Sequence, residues 1–366
     1  IVSLLRETDG ACVLVTGARG AGKSTLMQAV RAALLAAELP VLYHSAEEDL
    51  RACHSPDMLE TLVEEGRRVL QAKGLTYQVR PRQTRRNDAG LPCFDLAAGT
   101  FYLVLDGLDF VLDHHSLDAS LFPECMPAGM RLVVALSDGP LAIALAGRGY
   151  RVHPVAPLSR ERRREVVRER RATRELSGGL LERLLDWEAG QHPTHLLLAA
   201  SHAAETRHAP AVADDVSTVS RRLVDTLHLP GPLLPMLAVC RRGVPSENFL
   251  EHIAMSTAEP AIVRRGGFYL PATPEVAQAL RARCTERELH QGHVDLAARL
   301  ARIHVSSLTE EAVRHLVEAD EREKLAELLT TFEAFQLLAN RDVFGLARAC
   351  RLAGIEVVKQ RLGRMV

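Results

Sequence analysis

Apolar and polar positions follow one pattern over the first 155 residues of the chain and a different pattern beyond them. Short apolar runs predict five strands, the last of them weaker than the others, at residues 11–16, 40–45, 101–109, 131–137 and 150–155. Apolar positions at helical spacing predict helices at 23–37 and 57–73, and a polar, proline-containing stretch predicts a mobile loop at 75–97. Because strands alternate with helices, we expect an α/β fold with a parallel sheet.

Beyond residue 158 the strand signals almost stop. Residues 159–206 and 286–366 have the apolar spacing of helices, whereas 218–285 combine helices with one strand-like piece at 266–270. These changes of pattern predict four domains, at 1–157, 158–215, 216–285 and 286–366. We expect the last of them to be a packed array of helices.

The amino-acid composition says little about the partners and the localisation of the protein. The chain has 366 residues with 45 basic and 46 acidic groups, so its overall charge indicates neither nucleic acid nor membrane as a partner. Seven scattered cysteines without a CxxC pair suit reduced thiols, so we expect a cytoplasmic protein. No apolar run reaches about 18 residues, so we expect no membrane span, and no signal-peptide pattern is present. The chain begins at Ile1 and strand-like sequence follows almost at once, which we interpret as part of a longer protein.

The turn after the first predicted strand has the full pattern of a phosphate-binding loop, G-x-x-x-x-G-K-[ST], at residues 17–24. Glycines let backbone N–H groups surround phosphate oxygens, and the N-terminus of the following helix favours an anion. Lys23 is expected to reach the β- and γ-phosphates, and Ser24 to ligate Mg²⁺. The sequence therefore predicts binding of ATP or ADP with Mg²⁺. The predicted binding residues are Gly17, Gly20, Ala21, Gly22, Lys23, Ser24 and Thr25.

The third predicted strand ends in two carboxylates. Asp106 follows four apolar residues and is predicted to hold Mg²⁺, directly or through water. Asp109 is predicted to polarise the attacking water and so to be catalytic together with Lys23. A turn aspartate is the alternative for Asp106, and a helix-capping or loop acid is the alternative for Asp109. Ser137, after the fourth strand, is either a sensor of the γ-phosphate or a turn serine.

These motifs, taken in order, resemble the STAND class of signal-transduction ATPases with numerous domains, which includes NACHT proteins and apoptotic ATPases. Within this class the sequence is most similar to the nephrocystin and telomerase-associated-protein-like branch. The resemblance covers about residues 11–330. Its motifs lie at 17–25, 41–49, 103–109, 121–140, 155–163, 184–198 and 313–329.

The resemblance implies an α/β P-loop NTPase domain followed by a helical lid, a winged-helix domain and helical repeats. It also implies that Pro157, His192 and Pro193 lie near the adenine or the phosphates, although Pro193 is equally a helix-start proline. In this class a histidine at the end of the winged helix often contacts ADP, and Thr273 stands at the matching position here. Ala135 replaces a serine that is usual in the branch, which leaves the sensor assignment open.

By the same resemblance we expect an ATPase that acts as a regulated switch. ADP would hold it closed, and ATP would open it and permit homo-oligomerisation. Hydrolysis would be slow, and a protein trigger or an effector outside this chain would set input and output, in defence or in scaffolded signalling. The alternatives are a DNA-associated AAA-like ATPase that uses the winged helix, or a nucleotide-binding scaffold without turnover.

Two segments of the sequence are relevant to whether the chain binds nucleic acid. Residues 244–256 contain no Lys or Arg, which argues against a basic recognition helix. Residues 159–175 contain eight arginines, but acids are interleaved among them and no aromatic residue is present to stack on a base. The pattern favours a solvated helix with ion pairs between residues four apart, and we expect no specific nucleic-acid partner.

Overall fold

The computed structural model describes residues 1–7, 11–46, 55–80, 91–109, 119–169, 176–211, 214–229, 231–241, 243–246, 261–265, 267–303, 306–341 and 343–363. The chain divides into two compact units, Ile1–Leu158 and Ser159–Val366. Within the described residues, no helix is both long enough and apolar enough to cross a membrane.

The first unit contains seven strands and four α-helices among its described residues. The strands are β1 (Cys12–Thr16), β2 (Val41–Ser45), β3 (Tyr77–Arg80), β4 (Cys93–Leu96), β5 (Phe101–Asp106), β6 (Met130–Leu136) and β7 (Arg151–Pro154). The helices are α1 (Val2–Glu7), α2 (Lys23–Ala36), α3 (Ser55–Ala72) and α4 (Pro140–Gly147).

Five of these strands form a parallel sheet in the order β2-β5-β6-β1-β7. All five strands predicted from apolar runs are present in it, so the predicted α/β fold is confirmed. Strand β6 lies between β1, which leads into the phosphate loop, and β5, which ends in Asp106. Because the strands are parallel, their carboxyl ends meet at one edge of the sheet, where ligands bind in open α/β folds.

Alternate residues of the central strands point to opposite faces of the sheet. On one face Val15 of β1 lies in a buried cluster with Met27 of α2. On the other face Leu14 lies in a second buried cluster with Leu62 of α3 and Leu145 of α4. The centre of the sheet is therefore covered on both sides, which explains why β1, β5 and β6 have continuous apolar runs rather than alternating ones.

The loop predicted at 75–97 is wrong in part, because β3 and β4 form an antiparallel hairpin there. Phe94 of β4 is fully buried, and its ring centroid lies 6.0 Å from that of Tyr77 and 5.2 Å from that of Phe101. This aromatic contact with the main sheet stabilises the hairpin. Residues 81–90, between the two strands, lie outside the described residues.

The second unit is mainly helical. Its first part contains α5 (Arg160–Glu169), α6 (Gly178–Asp186), α7 (Pro193–Thr206), α8 (Val216–Thr226), α9 (Leu233–Val239), β8 (Val244–Pro245), β9 (Ile262–Arg265), β10 (Phe268–Pro271) and α10 (Pro274–Ala282). The remainder contains α11 (Glu286–Leu300), α12 (Ser306–Glu318), α13 (Arg322–Leu329), α14 (Phe332–Arg341), α15 (Val343–Ala353) and α16 (Ile355–Leu362). All elements described after β10 are helices, as the apolar spacing predicted.

A small antiparallel sheet interrupts the helices in the order β8-β10-β9. Tyr269 of β10 is almost fully buried and pairs with Val244 on one side and Arg264 on the other. The sequence predicted one strand-like piece where the structure has three strands, since two- and four-residue strands have too few positions for a clear period. Most of the segment 244–256, including 247–256, lies outside the described residues.

The arginine-rich segment forms helix α5, and its arginines bond to acids of the neighbouring helix α6. Arg160 bonds to Asp186 and donates to Glu182 at 2.8 Å, and Arg164 donates to the other oxygen of Glu182 at 2.8 Å. These arginines therefore join two helices, in addition to any pairing along their own helix. Residues 170–175 lie outside the described part of the chain.

Candidate functional site

The phosphate loop joins β1 to α2 and depends on two glycines. Gly20 has a φ of 81° and Gly22 has a φ of 94°, both in the left-handed region that side chains avoid. Helix α2 begins at Lys23, and no side chain caps its first turn. The backbone N–H groups of that turn have no partner within the helix, which makes the helix start a suitable site for a phosphate.

Lys23 lies across the loop toward the strand ends and is only 9% exposed. Its Nζ donates to Gly17 O at 2.9 Å, to Ala18 O at 3.2 Å and to Ser137 Oγ at 3.0 Å. The Oδ2 atom of Asp109 lies 3.4 Å from the same nitrogen. A positive charge is therefore held beside the loop, within reach of phosphate oxygens bound there.

Ser24 and Asp106 meet at the start of α2. The Ser24 hydroxyl donates to Asp106 Oδ1 at 3.2 Å, and the Gly107 N–H donates to the same oxygen at 2.8 Å. Asp106 is 2% exposed. A hydroxyl and a carboxylate oxygen are the hard ligands that Mg²⁺ prefers. The residues that the sequence proposed for the metal thus lie together, and their chemistry fits Mg²⁺.

Tyr43 was not predicted as a site residue, although it contacts the same carboxylate. Its hydroxyl donates to Asp106 Oδ2 at 3.0 Å, and the Arg31 guanidinium lies 5.0 Å from the centre of its ring. In the sequence Tyr43 is one aromatic residue in an apolar predicted strand, and that pattern does not distinguish it from a core residue. The position of β2 beside β5 creates the contact.

Two hydrogen bonds join Asp109 and Ser137. Ser137 donates from its backbone N–H to Asp109 Oδ1 and from its hydroxyl to Oδ2, both at 2.6 Å. Ser137 directly follows β6. Both residues contact Lys23, so Ser137 belongs to the site geometry rather than to a remote turn. The two Asp109 oxygens bind Ser137, an arrangement that orients the serine.

Pro157, a further predicted residue of the first unit, is exposed and follows β7. The chain before it runs along the phosphate loop, because Val155 N donates to Thr16 O at 2.7 Å. The side chain of Val155 lies beside Gly17. A nucleotide contact by Pro157 stays a prediction.

Three predicted nucleotide contacts lie in the second unit. His192 and Pro193 begin helix α7, with Pro193 as its first residue, which is the helix-start position considered as its alternative. Thr273 is buried and caps α10, where its hydroxyl accepts a bond from Val276 N at 3.3 Å. These local roles account for the proline and the threonine without a ligand. The contacts implied by the resemblance stay predictions.

Comparisons with known proteins give a structural likeness only. No protein-family model matches the sequence, and no curated protein matches it either. Among solved structures, the chain is similar to a signal transduction ATPase with numerous domains from Pyrococcus horikoshii that has a tetratricopeptide repeat sensor. The identity is 15% and the TM-score 0.53, over 98% of this chain and 53% of that protein. This chain thus spans about half the length of that relative.

A point mutant of RuvB from Thermotoga maritima also matches, at 12% identity over 77% of this chain and 92% of that one. The TM-score of that match is 0.29. The Pyrococcus horikoshii protein, in contrast, matches nearly the whole chain. In this chain the phosphate loop, Lys23 and the strand that ends in Asp106 lie together at one edge of the sheet. The chain therefore has the fold of a STAND-class P-loop ATPase.

Proposed function

We propose that this chain binds ATP and ADP with Mg²⁺ at the phosphate loop and hydrolyses ATP slowly. The observation that carries the proposal is the pair Ser24 and Asp106, whose oxygens lie 3.2 Å apart at the start of an uncapped helix. A hydroxyl and a buried carboxylate placed together beside a glycine loop have the chemistry of a magnesium–phosphate site.

Different residues would bind the phosphates, hold the metal and position Ser137. The first turn of α2 and Lys23 bind phosphate oxygens through N–H groups and positive charge. Asp106 and Ser24 would hold Mg²⁺, which would offset the negative charge of the bound phosphates. Asp109 holds Ser137 beside Lys23, and a serine hydroxyl in that place is suited to contact the terminal phosphate.

We extend the proposal to a switch. Residues 158–215 would act as a helical lid, 216–285 as a winged-helix domain and 286–366 as a helical array. The small sheet of β8, β9 and β10 beside helices α8 to α10 supports the second of these assignments. ADP and ATP would favour different arrangements, and the ATP form would assemble into a homo-oligomer. A ligand shifts such an equilibrium only by its difference in affinity for the two states.

Binding is tested with Lys23→Ala. Loss of the ammonium should weaken the binding of ATP and ADP roughly 10- to 100-fold, the range for a hydrogen bond to a charged group. Isothermal titration calorimetry measures the affinity. Lys73→Ala is the matched control, because Lys73 is exposed and donates to Glu38 O on the same unit. Equal affinity of the folded Lys23 variant and the control would contradict the assignment of the loop.

The switch is tested by solution size in ADP and in a non-hydrolysable ATP analogue, measured by light scattering. A larger species in the ATP analogue supports the switch. Tight binding with the same size and protease sensitivity in both nucleotides, and with no phosphate release, would instead support a static nucleotide-binding scaffold.

A further inference from the structure

The two oxygens of the Asp106 carboxylate have different partners. Oδ1 accepts bonds from the Ser24 hydroxyl and the Gly107 N–H, whereas Oδ2 accepts a bond at 3.0 Å from the Tyr43 hydroxyl. The carboxylate is 2% exposed, so water does not readily replace a lost partner. The rotation of this group is therefore determined by protein donors on both sides.

Tyr43 reaches Asp106 because of the strand register. Strand β2 runs parallel to β5, with Tyr43 opposite Val104 and Ser45 opposite Asp106. The tyrosine ring packs on the face of the sheet that α2 covers. Its hydroxyl bonds to a carboxylate on the neighbouring strand, at the edge where the phosphate loop lies.

Helix α2 holds this tyrosine from the other side. Arg31 lies over the ring with its guanidinium carbon 5.0 Å from the ring centre. Arg31 follows Ser24 by seven residues, which is close to two helical turns, so both residues lie on one face of α2. One helix thus provides the hydroxyl that faces Oδ1 and the guanidinium that covers the tyrosine bonded to Oδ2.

We propose that Tyr43 is a positioning residue for the magnesium ligand Asp106: its hydroxyl engages Oδ2 and leaves Oδ1 as the oxygen that faces Ser24 and the metal. This inference rests on the proposed function, because it assigns a role within the same magnesium site. It adds a residue to that site, outside the phosphate loop and the acid-ended strand, and specifies which carboxylate oxygen would face the metal.

Two effects of the tyrosine oppose each other. Its hydrogen bond draws charge from the carboxylate and by itself lowers the affinity for a cation. However, the terminal torsion of an aspartate is broad, so without Tyr43 the carboxylate rotates over a wider range. Removing a partner that orients a metal ligand typically lowers metal affinity by 10- to 100-fold. Orientation is therefore the larger effect, and the tyrosine should strengthen Mg²⁺ binding.

The test is Tyr43→Phe, which removes the hydroxyl and keeps the ring under Arg31. Binding of a fluorescent ADP analogue is measured first in EDTA and then across a Mg²⁺ titration. We expect unchanged affinity in EDTA and a Mg²⁺ midpoint roughly tenfold higher than in the wild type. Tyr77→Phe is the matched control, because that hydroxyl lies near Gln71, away from the site, and its midpoint should not move.

The outcomes separate this inference from the proposed function. Wild-type protein that binds no nucleotide would overturn the proposed function, whereas a Tyr43→Phe midpoint equal to that of the wild type would overturn only the inference. Weaker binding by Tyr43→Phe in EDTA as well would show a structural role and also overturn it. Thermal unfolding checks that the variant folds. If it does not, Arg31→Ala, at an exposed position, should raise the midpoint in the same direction by a smaller factor, and an unchanged midpoint there contradicts the inference.

Discussion

Lys23 has oxygen partners on both sides of the site. Loop carbonyls accept its bonds at 2.9 and 3.2 Å, and the Ser137 hydroxyl accepts one at 3.0 Å. Asp109 adds a full negative charge at 3.4 Å. A nearly buried ammonium needs such partners, because burying an unpaired charge is costly. Any phosphate oxygen bound in the loop would have to compete with these acceptors for the same three protons.

The two hydrogen bonds between Asp109 and Ser137 lead to a prediction about ATP turnover. If Asp109 acts by orienting Ser137, then Asp109→Asn and Ser137→Ala should each lower ATP turnover roughly tenfold or more, and the double variant should be no slower than the slower single one. Steady-state phosphate release measures this. Asp138→Asn is the matched control, since Asp138 is the exposed neighbour of Ser137.

A different result would assign Asp109 its own chemical role. If Asp109→Asn abolishes turnover while Ser137→Ala retains it, the carboxylate acts on the attacking water and the orienting role is wrong. Nucleotide affinity should be measured alongside, so that a loss of binding is not mistaken for a loss of chemistry.

At the scale of elements, close contact between helices α9 and α11 depends on one glycine. A Cβ atom at Gly292 would lie 2.7 Å from the backbone C and O atoms of Pro235. Backbone atoms cannot move aside as a flexible side chain can. Gly292 therefore lets the helical array lie directly against α9, the helix that precedes the small sheet.

Gly292→Ala should destabilise the protein by about 1–3 kcal/mol, because overpacking outweighs the gain in helix propensity of about 1 kcal/mol. Gly179→Ala is the control, since Gly179 lies in α6 and nothing is within 4 Å of its added Cβ. That variant should be neutral or slightly more stable. Urea unfolding measures both, and equal midpoints for the two variants would refute the close-contact argument.

At the scale of the whole molecule, a buried histidine pair in the helical array makes stability depend on pH. His293 Nδ1 and His315 Nδ1 are 2.8 Å apart, so one ring donates a hydrogen bond to the other. Only one of these two nitrogens can therefore carry a proton. Burial lowers the pKa of His293 to about 4 and also lowers the pKa of His315. Although burial acts to raise it, the pKa of Glu311 lies below its usual value because His315 and Arg314 bond to it.

The lowered pKa of His293 determines how the stability of the fold changes with pH. The unfolded chain binds a proton at each histidine near pH 6.5, whereas the folded chain leaves His293 neutral down to about pH 4. Between these values the unfolded state binds more protons, so stability rises with pH and is lost on acidification. From pH 7 to pH 5 the protein should lose about 1–2 kcal/mol through His293.

Thermal unfolding from pH 7 to pH 5 measures this loss. His293→Gln should flatten the dependence, because an amide does not titrate, and His228→Gln, at an exposed position, should leave it unchanged. Some slope should persist in the first variant, since burial also lowers the pKa values of His195 and His202. A wild-type protein that is equally stable at both pH values would contradict the role of the pair.

The fold class and the centre of the site were predictable because their signals are local. The glycine loop, Lys23 and Ser24 occur within eight residues, and strand and helix patterns on either side place them at a helix start. Asp106 was identified because a buried strand ends there. The branch of the class, the domain assignments and the nucleotide contacts of the second unit are still predictions.

Tertiary structure alone decided which distant residues meet. The order β2-β5-β6-β1-β7 brings Ser137 to Lys23 and Tyr43 to Asp106, pairs that are 114 and 63 residues apart in sequence. Burial of Phe94 against Phe101 likewise stabilises a hairpin in a stretch whose polar composition predicted a loop. Hydrophobic periodicity reports whether a strand is buried, and it does not report which strand lies beside it. The sequence by itself thus determined most of the elements and the candidate phosphate-binding residues, whereas strand order and register, set by side-chain packing across the sheet, determined the partners of each site residue.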